Sequence, residues 1–369
     1  MIIGLKATKI KEKIMTGESK ITSYQLFSIL FLIDVTIVLT YSPKLSGSKD
    51  VWDFIISTVV YFVLNFILII PTFLLYKKYP RINLFEGKMG LVFRYIYSIY
   101  FLWLACYTVS IFKLFIKNIM SDEMPIVALT IFTIVIAIYS ALKGMQAIAR
   151  TSVVILFLIE ISLAFIFLSL IPRIDTDNYN NFFENGVTDA VNGVVYMLSR
   201  NFPVPIVTLL LPLIDGKKKR AFTMWNIFVA LLFIVVTLIN VGSLGKYLET
   251  RVFPAYAVTQ LAEIGVFKHM NAIYIGVFAM GIYILISTFL YLFTFVCKSI
   301  KSQKMKYRSI SVGFFLFFVL GGVIPDSNSF SYFIFDKFVL LILMLITVVV
   351  LPIIFFIKES VKEKRQREC

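Results

Sequence analysis

Few side chains in this sequence could do chemistry, and those that could stand inside long apolar runs. Asp34 falls in TSYQLFSILFLIDVTIVLTYSP, Glu160 in the run from 152 to 171, and Arg200, Asn201, Pro203 and Pro205 within VNGVVYMLSRNFPVPIVTLLLPLI, from Val191 to Ile214. A carboxylate halfway through a membrane crossing costs about 3 kcal/mol on insertion scales. It marks contact with a cation, an ammonium group or a proton, or else a structural hydrogen bond to a neighbouring helix. Asp34 and Glu160 are the candidates for proton or ion coupling, with pairing to Lys113 also open to Glu160.

The 191–214 run cannot be one regular helix. Proline lacks a backbone donor and pushes the preceding residue out of the helical region, so Phe202 and Val204 are expected in extended backbone. Irregular backbone at membrane depth survives only where protein or a water-filled cavity surrounds it. The break formed by Asn201, Phe202, Pro203, Val204 and Pro205 is therefore expected to line a cavity for a small polar ligand, the alternative being an outer-end kink without one. An enzyme is not expected, since one histidine (His269), no CxxC, no HExxH and no GxxxxGK[ST] leave metal-assisted and nucleophilic schemes without their parts. Neither a metal nor a cofactor is expected. Cys106, Cys297 and Cys369 form no disulfide framework, and GKKKR at Gly216 has no phosphate-cradling loop before it.

Ten apolar blocks must position these residues: 22–43, 52–76, 89–118, 124–142, 152–171, 191–214, 221–245, 270–297, 309–325 and 333–357. Each approaches the roughly 20 residues that a helix needs to cross hydrocarbon. With 59% apolar residues, 15% charged and a mean hydropathy of +0.89, the chain reads as an all-α integral membrane protein. Lysine and arginine collect on the cytoplasmic side of such proteins. With the N-terminus inside, 26 of the 36 basic residues fall on the inner segments and helix ends, giving an inside near +19 and an outside near −2, with Arg200 among the outer ten. The net charge of +15 is thus a topology signal, scattered over six short segments. It suits anionic membrane lipid at KKKR and KEKRQR, and no nucleic acid. Residues 1–21 and 358–369 are expected as cytoplasmic tails. Two long outer loops, from Pro172 and from Lys246, are expected either to cap a cavity or to be ordinary connections, the second holding a short lid helix that starts at a proline.

Five blocks precede the interrupted one, so the first and sixth hold matching places in two halves of five, 22–171 and 191–357. Such odd-numbered repeats are inverted in the membrane, and breaks at matching positions point to a transporter-type site. A weaker break is expected in the first span at Asp34, Val35 and Thr36. The two half-helices beginning at mid-membrane would then aim free N–H groups at one carboxylate, while unpaired carbonyls would take an ammonium group or a cation. Tyr97, Tyr100 and Tyr107 lie near one face of the third span and are candidates for the pocket wall or the core. Ser287 and Thr288 in the eighth either face the pocket or bond back to their own helix. Arg94 and Lys113 are expected to snorkel toward the interfaces.

These residues also carry a family likeness. KGMQAIAR at Lys143, ITSYQLF at Ile21, FP at Phe202 and FPAYAVTQLAEIG at Phe253 resemble segments of the B subunits of nutrient receptors in spore germination, members of the amino acid–polyamine–organocation transporter superfamily. The resemblance implies about ten transmembrane helices in a LeuT-like core of two inverted repeats, with broken helices 1 and 6. It further implies a subunit that senses a small nutrient, such as an amino acid, beside A and C subunits in the spore inner membrane. Family members commonly carry Gly-Thr in the first break and Gly-Glu after FP. Here the chain reads Asp34-Val35 or Thr36-Ile37, and Pro205-Ile206, which bears on the identity of the ligand. A proton-coupled amino acid transporter, or a pore or structural subunit without its own ligand, are the rival expectations.

Overall fold

The computed structural model describes residues 20–40, 51–80, 82, 84–119, 126–179, 187–264, 267–268, 271–300, 302–323 and 336–368, so the head before Lys20 and His269 lie outside the described residues. A chain in hydrocarbon must satisfy its own backbone polar groups, and the apolar blocks accordingly become helices. Among the described residues eight stretches are long and apolar enough to cross a membrane: Trp52–Lys78, Gly87–Ile119, Ile126–Lys143, Met145–Arg173, Val187–Leu213, Lys218–Leu248, Asn271–Lys298 and Lys337–Glu363. Two shorter helices, Ser23–Leu39 and Gln303–Phe317, stand at the first and ninth of the ten expected places. Numbered in chain order, these helices are spans one to ten. The ninth continues as a π-helical turn over Phe318–Val323, and the tenth is helical through Glu368, well into the expected tail.

Contacts between helix ends divide the molecule into two poles, as ten alternating crossings require. At the basic pole, the start of span one and the end of span six pair as a short parallel ladder, Ile21 with Ile214 and Thr22 with Asp215. There too Arg94 donates to Ser299 Oγ at 2.9 Å, joining spans three and eight as expected of an interfacial arginine, and Lys78 meets Glu363 at 3.4 Å. At the other pole, Tyr274 donates to Leu39 O at 2.7 Å, Trp52 to Tyr179 O at 3.2 Å and Tyr179 to Leu238 O at 2.8 Å. Between spans four and five the chain reverses at Gly144, whose φ of 100° an L side chain rarely adopts. This gives the KGMQAIAR segment a physical reason for its glycine.

The first span departs from expectation. It runs unbroken from Ser23 to Leu39, through Asp34, Val35 and Thr36. No proline or glycine lies between those ends, and the Ser28 and Thr36 hydroxyls donate to the carbonyls of Tyr24 and Leu32, within the same helix. The backbone therefore keeps its ladder, and there is no half-helix N-terminus at Asp34. Lys113 also departs from the snorkelling expected of it: it is buried inside the protein, only 6% exposed.

Candidate functional site

Span six is interrupted where its sequence says it must be. A first helix, Val187–Ser199, gives way to a turn at Arg200, Asn201 and Phe202, and a second helix runs over Pro203–Leu210. All of Arg200 to Ile206 is buried within the protein, away from lipid. The local backbone differs from expectation. Phe202 is helical in φ and ψ (−74°, −32°), and Val204 lies in the new helix rather than in extended chain. The prolines occupy the first and third positions of that helix, where a missing N–H breaks no ladder bond, so they start a helix as readily as they end one.

The adjacent residues Arg200 and Asn201 serve different surroundings. The Asn201 amide donates to Asn65 Oδ1 of span two at 2.6 Å and accepts the Val204 N–H at 3.4 Å, capping the second helix. The Asn65 amide in turn donates to Asn226 Oδ1 of span seven at 3.2 Å, and Asn226 to the Phe62 carbonyl at 2.9 Å. This corrects the expectation that Asn201 stands in the ligand wall. With both ends of its amide engaged, it instead ties the break to two neighbouring spans. Arg200 points elsewhere: its Nε donates to the Tyr107 hydroxyl of span three at 2.7 Å, and its guanidinium lies 3.6 Å from the Tyr196 ring centroid.

A small cavity, about 10 Å³, lies between spans one, three, six and eight. Its wall comprises Thr36, Ile37 and Thr40 of span one, Tyr107, Thr108 and Ile111 of span three, Phe202 at the break, and Ile282 and Leu285 of span eight. That is about room for one water, so the site is closed as it stands. The three threonine hydroxyls donate to carbonyls of their own helices, and the surface that the wall presents to the cavity is apolar. Spans one and eight approach so closely here that a Cβ on Gly281 would stand 2.2 Å from Thr36 Oγ1. The Ile21–Ile214 ladder joins spans one and six at the basic pole. Toward the other pole stands the expected lid helix, Pro254–Thr259, in an aromatic cluster where Phe115 meets Phe253 at 5.4 Å and Phe278 at 4.0 Å.

Of the residues expected at the pocket, Thr36 and Phe202 line it, and Tyr107 joins them. Pro203, Val204 and Pro205 are buried behind Phe202. Asp34 and Val35 are buried on other faces of span one, and Asp34 accepts from Trp225 Nε1 of span seven at 2.8 Å, its second oxygen buried without a partner. Tyr97 turns to span ten, donating to the Thr347 carbonyl at 2.8 Å, and Tyr100 is buried near the same residue. Both belong to the packing of span ten. Ser287 and Thr288 are fully buried with unpartnered hydroxyls, and Thr288, seven residues beyond Gly281, shares the face of span eight that meets span one. Glu160 lies on the exposed face of span five, outside the core and away from the pocket where a buried partner would be found. Arg200 stands out in the sequence within the interrupted run, but the sequence reading counts it with the outer basic residues and does not place it at the pocket.

A family model described as spore germination protein matches residues 20–331. No curated protein matches. Among solved structures the chain is similar to a Na+-coupled sialic acid symporter in its substrate-bound outward-open state, with 14% identity, a TM-score of 0.65, and coverage of 92% of this chain and 81% of that one. At such identity the likeness is one of fold, and it puts the ten helices in the LeuT-like transporter arrangement.

Proposed function

We propose, for a chain that belongs to the spore germination protein family, that it is the membrane subunit of a germinant receptor, binding a small nutrient in the cavity between spans one, three, six and eight. The observation that carries this reading is the buried break of span six, which places Phe202 on the wall of a small cavity between four spans. A cavity this small admits a nutrient only after movement, so binding and conformational change are linked. A ligand shifts such an equilibrium only as far as its affinities for the two states differ. The signal would pass to A and C partner subunits in the spore inner membrane, with both termini cytoplasmic as the distribution of basic residues argues. A thermal-shift screen of the twenty amino acids and simple sugars on the purified chain tests the binding step. One or more stabilising nutrients are expected, and a flat response to all of them contradicts it.

A second reading, a proton-coupled secondary transporter, draws on one observation: the buried, unpartnered Asp34 oxygen within span one. Uptake of the stabilising nutrient into proteoliposomes separates the two. Concentrative uptake that Asp34→Asn abolishes favours the transporter, and binding without flux favours the receptor.

A further inference from the structure

Arg200 is exposed over only 7% of its surface, and its Nη1 is buried with no hydrogen-bond partner among the described residues. Among the described residues no carboxylate lies within ion-pair distance of it, and the groups that act on its charge are the tyrosines Tyr107 and Tyr196. A buried cation in this position is expensive unless something neutralises it. The C-terminal end of the helix Val187–Ser199 offsets part of that cost with its negative dipole. The rest is unmet.

The donors expected from backbone amides are missing from the same place. Pro203 and Pro205 have no N–H, the Val204 N–H is taken by Asn201, and span one offers no half-helix end at all. A carboxylate entering the cavity would therefore meet few free main-chain donors. It would meet a guanidinium one hydrogen bond behind the cavity wall, since Tyr107 both lines the cavity and accepts from Arg200. Among the described residues no acidic side chain lines the cavity to balance a ligand's positive charge.

We infer that Arg200 is the anchor for the carboxylate of a small anionic ligand, held by its forked donors as the cavity opens, with Tyr107 and Tyr196 fixing the guanidinium in place. This rests on the reading that a small ligand binds in the cavity, and it adds the ligand's charge class: a carboxylate is required and an ammonium group is not. A guanidinium presents two parallel donors to a carboxylate, which lysine cannot copy.

The test uses the full-length chain in lipid nanodiscs and follows its melting temperature against L-lactate, propionate and L-alanine, each beside the carboxamide that lacks its carboxylate. The acids should stabilise the protein and the amides should not. Arg200→Gln, which keeps a donor for Tyr107, should bind the acids at least about tenfold more weakly, while melting no lower than the wild type without ligand; Arg200→Lys should fall between. Acids binding Arg200→Gln as tightly as the wild type, or amides binding as well as acids, would overturn the anchor and leave the cavity reading intact. A marked loss of stability in ligand-free Arg200→Gln would show the cation to be held by the protein itself, and would overturn it too, as would failure of every acid to bind the wild type. Acid binding that survives filling of the cavity by Leu285→Phe would remove both the anchor and the cavity.

Discussion

Spans one and six occupy matching places in the two halves of the molecule and solve the same problem differently. Span six gives up its helix at Arg200–Phe202 and recovers the lost bonds through Asn201, which caps the next helix and reaches span two. Span one keeps its helix through Asp34 and satisfies one carboxylate oxygen with a side chain, Trp225, from span seven. The difference lies in the residues. Two prolines force a break that a polar amide can heal, whereas a single acid with β-branched neighbours leaves the ladder whole. A buried charge does not by itself signal broken backbone, and a broken backbone need not leave free amides.

The comparison can be broken at several points. The largest effect is expected where span one is pressed against span eight: Gly281→Ala puts a Cβ into Thr36 Oγ1 and should cost about 3 kcal/mol, read as melting temperature in nanodiscs. Adding Thr36→Ala should restore most of it, and a double mutant no better than the single would mean the two spans do not meet there. Trp225→Phe removes the one hydrogen bond to Asp34 and should cost about 2 kcal/mol, largely relieved when Asp34→Asn is added. Asn201→Ala removes two bonds of the span-six break and should cost roughly 1–2 kcal/mol, given the modest worth of side-chain bonds between membrane helices. Smallest of all, Pro205→Ala should change stability by under about 0.5 kcal/mol and leave the break in place, because the third position of a helix has no ladder bond to regain. Helix healing through residue 202 in that variant, visible as new amide protection by hydrogen exchange, would show that the prolines alone hold the break open.

Much of this architecture is legible in the sequence because a bilayer imposes length and polarity on every crossing. The ten apolar blocks, the alternation of basic and acidic ends, the proline-marked break and the lid helix at Pro254 all follow from local residue types. Pairings made across the chain do not. Asp34 and Trp225 are 191 residues apart, and nothing near either names the other. Tyr97 and Tyr107 stand ten residues apart, about 80° around the helix, and one serves span ten and the other the cavity, a division set by which helices flank span three. Glu160 looks buried in a hydropathy reading, but its side of span five faces outward, which only the packing of that helix decides.

Ligand binding at the cavity beside the span-six break is the central claim, and cavity filling tests it most directly. Leu285→Phe adds volume at the wall between Thr36, Tyr107 and Phe202. A nutrient that raises the melting temperature of the wild type should leave Leu285→Phe unmoved, the two proteins melting within a few degrees of each other without ligand. The same nutrient stabilising both proteins equally would contradict the claim, because the ligand would then be bound somewhere else.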